Sequence, residues 1–499
     1  MRKNVHLYAI AAAAVAIHVA CITQYGIFRD ELYYLACGEH LDWGYVDQPP
    51  LIALIAWTVR HLFADSLAGI RILAVLAHGA LVILTGLLAR RLGGSRFAET
   101  LAATCALIAP VTIATTHFLS MNAFEPLFWM GMVYVALTIF NGASEKRWML
   151  FGAIAGLSLE NKHTTLFFGF AFVIGLLLSE HRRTFLRPWI WIGGVIAVLL
   201  FLPNLIWEVR HDFATIELLQ IIARSSKNTP VTPLSFFSGQ ILLMHPLTLP
   251  IWIIGIVWLL RTPRYRALGW CFIALFTLFV VMKGKVYYLS PAYPMLFAAG
   301  GIAIERWTAS LRWVRVAVIV LLVIGGAIIA PLALPILPVE TYIVYQRNLH
   351  LEPPRTESHR MGPLPQQYAD MFGWREMAEK VASAYNTLTP AEKTKCAIFG
   401  QNYGQAGAID YFGPALGLPK AISAHQNYFF WGPRNYTGEV MIVMDDDRET
   451  LETIFEDVQQ AGIVHHPYAM PYENDNPIFI CRRPKTSLRA LWPKIRNWI

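Results

Sequence analysis

Apolar runs long enough to cross a bilayer recur along most of this chain, and no other feature limits its fold as strongly. RILAVLAHGALVILTGLLA (71–89) and RVAVIVLLVIGGAIIAPLA (315–333) are two of them. A run of about 18 or more such residues fits the hydrocarbon core as a helix, the form that satisfies its backbone polar groups internally. Spans are read at 5–27, 68–89, 98–116, 122–140, 148–160, 163–179, 189–206, 240–260, 267–282, 291–307 and 314–334. The piece at 148–160 is short and is expected to form a tight hairpin with 163–179. Composition agrees: 56% of residues are hydrophobic and 15% charged, where soluble proteins keep about 25% charged. A soluble fold is excluded.

The net charge of +8 does not point to nucleic acid, because the basic residues gather in short loops between spans. Arg2/Lys3, Arg90/Arg91/Arg96, Lys146/Arg147, Arg182/Arg183/Arg187, Arg261/Arg264/Arg266 and Arg306/Arg312/Arg315 fall on one side. The positive-inside rule makes that side cytoplasmic, with the N-terminus. An odd span count then places the C-terminal region outside. MRKNVHLYAIAAAAVAIHVAC imitates a secretion signal. His18 is wrong for a lipoprotein site, however, and the apolar run continues past Cys21, so an uncleaved first span is expected. Six cysteines show neither CxxC nor zinc spacing. Cys21, Cys37, Cys105 and Cys271 lie in or beside spans. Cys396 and Cys481 share the terminal region, and an oxidising compartment would let them pair if the fold brought them together.

Two outside segments are long. In 28–67, LIALIAWTVRHLF is too short to span and reads as an interfacial helix. In 207–239, another interfacial helix precedes a Pro-containing loop. After about 340 the composition becomes globular: 396–400, 439–445 and 476–484 read as strands and 447–462 as a helix with one apolar face. The expectation is a polytopic α-helical membrane protein of about 11 transmembrane helices with a small C-terminal α/β domain. The division is a transmembrane part, 1–335, carrying the external loop 28–67, and an extracytoplasmic domain, 336–499.

The loop FRDELYYLACGEHLDWGYVDQPPL (28–51) concentrates carboxylates beside a span. Asp30 and Glu31 either cap a short helix, whose N-terminal end favours acidic groups, or serve a function that repays their desolvation. Glu39 and Asp42 read as solvated. Asp47 starts the Pro49-Pro50 turn. Lys162, a lone lysine in an apolar hairpin, needs a partner or a ligand.

With those residues set out, the loop resembles the first external loop of the dolichyl-phosphate-mannose protein mannosyltransferase family. That family's bacterial relatives include the aminoarabinose transferase of lipid A and the proteins grouped as glycosyltransferase family 39. The acidic pair Asp30/Glu31 and Pro49-Pro50-Leu51 carry the resemblance, together with GLSLENKHT (156–164), MKGKVYYLSPAYPM (282–295) and HFLSMNAFEPLFW (117–129). It covers roughly 1–310 and implies the C-type glycosyltransferase fold in a bacterial cytoplasmic (inner) membrane. It further implies a polyprenyl-phosphate sugar donor and transfer to a lipid, polysaccharide or protein acceptor with inversion. Asp30 takes the role of catalytic base, with Glu31 as its organiser. Arg29, Lys162, Lys283, Lys285, Tyr287 and Tyr288 are assigned to the donor phosphate, and Asp47, Gln48, Glu125 and Tyr293 to sugar and acceptor. Gln48 departs from the family, whose members often place His or Lys there, so phosphate binding falls to the other cations. No cofactor is called for, and a divalent metal is left open.

The chemistry suits these residue types. Phosphate leaves readily, so no general acid is needed, unlike the paired carboxylates of glycoside hydrolases. Cations or tyrosine hydroxyls must stabilise the departing phosphate, and one carboxylate must take the acceptor's proton. Structural readings stand beside these. Lys283 and Lys285 can snorkel at a span end, Tyr287, Tyr288 and Tyr293 can be belt aromatics, and Glu125 can cap a helix. His117 and His245 read as structural, lacking paired metal spacing. The run AHQNYFFWGPRNY (424–436) suits acceptor contact, a domain core or a membrane interface. The alternative function is a transporter or flippase of lipid-linked sugars. It predicts polar residues through span centres and symmetry-related repeats, whereas here the charges sit at one face. A phosphoethanolamine-type transferase would need an ordered Asp/His metal set that the terminal domain lacks.

Overall fold

The computed structural model describes residues 4–225, 231–352 and 358–499. Helix fills each segment read as a span. By length and hydropathy, five described helices can cross a membrane: Leu67–Arg91, Met121–Phe140, Pro188–Arg210, Pro263–Val281 and Arg312–Ala333. Two bent pairs raise the number to seven. One such pair corrects the sequence reading, because the straight span expected at 240–260 is two helices, Pro233–Leu243 and Pro246–Arg261, meeting at 99°. His245 stands there at φ +75°, and Pro246 has no N–H to continue the ladder. The segment 98–116 breaks likewise at Ala109, whose ψ of 112° is the extended state favoured before proline. The first helix ends at Cys21. Of the Pro-containing loop expected after Ala214–Arg224, residues 226–230 lie outside the described residues, as do Arg2 and Lys3.

The bundle core is built from large side chains such as Trp129, Trp148, Phe168 and Phe172. Small residues set the closest approach: a Cβ on Gly152 would meet the Gly193 carbonyl oxygen at 1.9 Å, so Trp148–Asn161 and Pro188–Arg210 touch backbone to backbone. The basic loops knit together at one end. Ser95 donates to Glu305, Asn141 to the Arg91 carbonyl, and Tyr265 to Asn141. A cavity of about 330 Å³ lies at this end, lined by Phe140, Trp148, His181, Arg183 and Arg187 among others.

At the other end two short helices follow the first span. Arg29–Glu39 packs on Leu51–Phe63 through Ala53 and Ala56, which leaves Leu54, Trp57 and Leu62 exposed. The C-terminal domain sits on this pair. Its five strands, β1 (Cys396–Phe399), β2 (Ala421–Ile422), β3 (Val440–Met444), β4 (Phe455–Val464) and β5 (Asn476–Pro484), form a sheet of order β2-β1-β3-β5-β4. β1 runs parallel to β2 and β3, and β5 antiparallel to β3 and β4. One apolar cluster joins Leu32, Tyr33, Leu35 and Ile52 of the loop to Trp374, Ile409 and Tyr428 of the domain. The chain divides near 336, but the packing does not.

One expectation for the domain is overturned, and one open question is closed. The helix read at 447–462 ends at Ile454, and Phe455–Val464 is β4. Leu451, Ile454, Phe455 and Val458 have helical spacing, yet ladder bonds to β5 from Phe455↔Pro484 onward override that local pattern. Cys396 and Cys481 are both free and buried. Their strands flank β3 on opposite sides, a separation of about two strand spacings, roughly 9–10 Å, which no disulfide bridges.

Candidate active site

The loop carboxylates divide at once. Asp30 and Glu31 open the Arg29–Glu39 helix, where the dipole favours acidic groups, but successive positions point apart. Glu31 faces inward to Arg71 of Leu67–Arg91, at 2.8 Å with both side chains fully buried. It also accepts from the backbone N–H groups of Phe28 and Leu119, each at 2.8 Å. Arg71 donates further to the carbonyls of Ile22 and Gly26. Glu31 therefore staples the loop to Leu67–Arg91 and to the turn before Met121–Phe140.

Asp30 faces the terminal domain. Its Oδ1 accepts from the Tyr403 hydroxyl at 2.8 Å. Burial, and after it the charges of Asp30 and Asp47, push the Tyr34 phenol up. Burial and the neighbouring Tyr288 push the Tyr287 phenol up, and the charges of Glu125 and Asp30 add to the rise. There Lys162 caps Trp148–Asn161 and donates to Asn122 at 2.7 Å and Glu125 at 2.9 Å. Its ammonium lies 4.8 Å from the centre of the Tyr288 ring and 5.5 Å from that of Tyr287, a cation–π arrangement. Glu125 also accepts from Thr164. The structure thus brings Asp30, Asp47, Lys162, Glu125, Tyr287 and Tyr288 to one end of the bundle.

Other assigned residues fall elsewhere. Tyr293 is fully buried in the apolar bundle core, its ring edge-on to Trp252 and Phe272. Gln48 is fully buried and donates to Cys37 Sγ at 3.7 Å, so it closes the loop. Lys283 is exposed at φ +51°, and Lys285 precedes the turn that carries Tyr287 and Tyr288. Arg29 turns to the domain, donating to Tyr472 at 3.2 Å and facing Glu473 at 4.0 Å. Glu39 and Asp42, read as merely solvated, are engaged: Glu39 by Arg60 and Lys420, Asp42 by the Trp207 indole. In the aromatic run, Asn427 holds the Val46 N–H at 2.7 Å and Trp431 stacks on His40. That run is the contact between domain and loop.

Sequence reasoning missed Arg71, Tyr403, Asp370 and Glu473. Arg71 carried a usable signal, a lone arginine near the start of an apolar span. Tyr403 carried only its context, an Asn402 cap that accepts from Gly404 and Gln405. Asp370, behind Arg29, is pushed up to about 7 by burial, with Arg29 opposing. Burial likewise raises Glu473. Among the described residues no group of three or more His, Cys, Asp or Glu is placed to hold a metal ion.

The architecture is the C-type glycosyltransferase fold, a helical membrane bundle with a small domain seated on the loop that follows its first helix. Two solved structures of ArnT from Cupriavidus metallidurans share it: the apo state at a TM-score of 0.63 and the form bound to undecaprenyl phosphate at 0.62. Each is 14% identical, over 95% of this chain and 97% of that one. The archaeal oligosaccharyltransferase AglB from Archaeoglobus fulgidus, in complex with an inhibitory peptide and a dolichol-phosphate, is similar at a TM-score of 0.52 and 13% identity, over 84% of this chain and 64% of that one. In sequence, residues 47–207 match the family described as dolichyl-phosphate-mannose-protein mannosyltransferase, which bears out the resemblance read from the motifs. The lipid A galacturonosyltransferase RgtD of Rhizobium johnstonii is 24% identical over 299 residues, 57% of this chain; the match spans 61% of that relative's length.

Proposed function

We propose that this protein is a membrane glycosyltransferase that moves a sugar from a polyprenyl-phosphate donor to an acceptor at the outer face of the cytoplasmic membrane. The observation that carries the reading is the gathering of Lys162, Glu125, Tyr287 and Tyr288 in one corner, Lys162 donating to Glu125 at 2.9 Å and lying against both rings, with the charges of Glu125 and Asp30 both reaching Tyr287. The relatives' names support the class: ArnT was solved with undecaprenyl phosphate and AglB with a dolichol-phosphate.

In this mechanism Lys162, with Tyr287, Tyr288 and the nearby Lys285, receives the donor phosphate. Asp30 takes the proton of the acceptor hydroxyl as its oxygen bonds to the anomeric carbon. The carbon–oxygen bond to phosphate breaks with its electron pair, polyprenyl phosphate leaves, and the anomeric centre inverts. The Lys162 ammonium facing the phosphate oxygens stabilises the negative charge of the leaving group. Asp47, whose charge reaches Tyr34 and Tyr403, is assigned to the sugar hydroxyls.

The test is comparison of lipids and glycans between the source organism and a deletion strain, looking for one missing sugar, followed by complementation. Asp30→Asn should restore the protein to the membrane but lower transfer by about 10²–10⁴, the usual contribution of a general base. Unchanged transfer by D30N would remove the base assignment.

A further inference from the structure

The terminal domain reaches Asp30 through the Tyr403 hydroxyl, and that side chain is pinned on several sides. The Tyr403 ring stacks on Tyr33 with centroids 4.7 Å apart and on His425 at 5.0 Å, nearly parallel. The Arg29 guanidinium lies 4.7 Å from its centre. The helix Tyr403–Phe412 can come this close because its contact positions are glycines. A Cβ on Gly407 would meet Leu32 Cβ at 3.0 Å, and one on Gly404 would meet Arg29 Cγ at 2.9 Å. Arg29 in turn is bound to the domain by Tyr472 and Glu473, and its N–H donates to the Asp370 carbonyl at 3.0 Å. A domain that served only to contact acceptor or membrane would need no such clamp around one hydroxyl.

We infer that Tyr403 is a positioning residue for the transfer reaction: by donating to Asp30 it keeps that carboxylate ionised and fixes its orientation, so the C-terminal domain completes the active site. The inference rests on the reading of Asp30 as the base. A hydrogen bond to the charged form favours that form, and the surroundings demand such help. The charge of Asp30 reaches Tyr34 of its own helix and Tyr287 of the turn between spans. From the domain, Tyr403 and Asp370 also lie within reach of its charge. Asp47 acts on the same Tyr34 and Tyr403 rings, and Arg29 acts on Tyr403 and Asp370. A carboxylate held at Oδ1 also loses rotational freedom, and a base must meet its proton in near-attack geometry.

Tyr403→Phe keeps the ring and its stacking while removing the hydroxyl. Two measurements test it against the wild type. In membrane vesicles from the source organism, which carry their own donor lipid and acceptor, sugar transfer is followed by mass spectrometry across pH. The acid limb should move up by about one pH unit in Y403F, and the plateau rate should fall about tenfold. In purified protein, the infrared carboxylic-acid band that Asp30→Asn abolishes should titrate with its midpoint shifted up by a similar amount. This second readout needs no turnover. A midpoint that stays in place in folded Y403F overturns the inference whatever the enzyme transfers. A midpoint that moves while the rate profile does not also overturns it, since the hydroxyl would then touch the base without governing it. Full transfer by D30N is a separate result that removes the base itself.

Discussion

Two ion pairs hold this end of the molecule, and they differ in what they leave over. Glu31–Arg71 is completely enclosed, and every partner it has is protein: one arginine, two backbone N–H groups on the acid, two carbonyls on the base. Lys162–Glu125 is also close, at 2.9 Å, but the lysine side chain keeps 12% of its surface. Of its three N–H donors, Asn122 and Glu125 take two. The third faces the rings of Tyr287 and Tyr288. A saturated pair is a staple. An unsaturated one beside phenols is a place for an anion, and that contrast separates scaffold from site here better than burial or charge alone.

The comparison breaks most visibly if the staple is cut. Removing one member of a buried pair strands the other's charge and costs about 3–5 kcal/mol. Arg71→Met should therefore lower the melting temperature of the purified protein sharply and reduce its yield in the membrane. Glu31→Gln should do the same less severely, because its amide oxygen can still accept from Leu119 or Phe28. An R71M protein as stable as the wild type would show that the loop is held by something else. Lys162→Met also strands a buried carboxylate, but Thr164 still donates to Glu125, so the melting temperature should fall less than in R71M. Transfer should fall by about 10²–10³, the scale of losing one preorganised charge at a transition state. Lys162→Arg keeps the charge and should recover part of that rate. Turnover by K162M at the wild-type level would take the phosphate out of this corner.

The sequence made the bundle legible because hydropathy reports a property of each residue by itself, and a bilayer imposes one length on every span. It also yielded Asp30, Lys162 and Glu125, each a charge that an apolar segment could not carry idly. Bends were hidden at His245 and Ala109, where a proline's missing N–H decides geometry that hydropathy averages away. β4 was hidden because Leu451, Ile454, Phe455 and Val458 satisfy a helix equally well until β5 arrives beside them. Tyr403 was hidden for a deeper reason: its partner lies 373 positions away in the chain, and nothing local marks a tyrosine as belonging to another domain's carboxylate. Arg71 was legible by the argument applied to Lys162. The two lone cations look alike in sequence, and only their partners tell a staple from a site.

The smallest expected effect lies behind that contact, in the acids that share Arg29. Asp370 is buried, accepts from Tyr472 at 3.2 Å, and has its pKa raised from 3.8 to about 7 by burial, against the pull of Arg29 and with Asp30 and Glu473 adding to the rise. A carboxyl with a raised folded pKa holds its proton more tightly folded than unfolded. Its contribution to stability is therefore present at low pH and is lost as pH climbs from about 4 to about 7. Asp370→Asn is neutral throughout and removes this component. Thermal unfolding of the purified protein at pH 5 and pH 8 should thus show a smaller drop for D370N than for the wild type. Part of the slope should survive, because burial raises Asp445 to about 6 and Glu473 in the same direction. An undiminished slope in D370N would mean that Asp370 stays ionised beside Arg29. The domain would then be docked by a plain ion pair, of the same kind as the Glu31 staple.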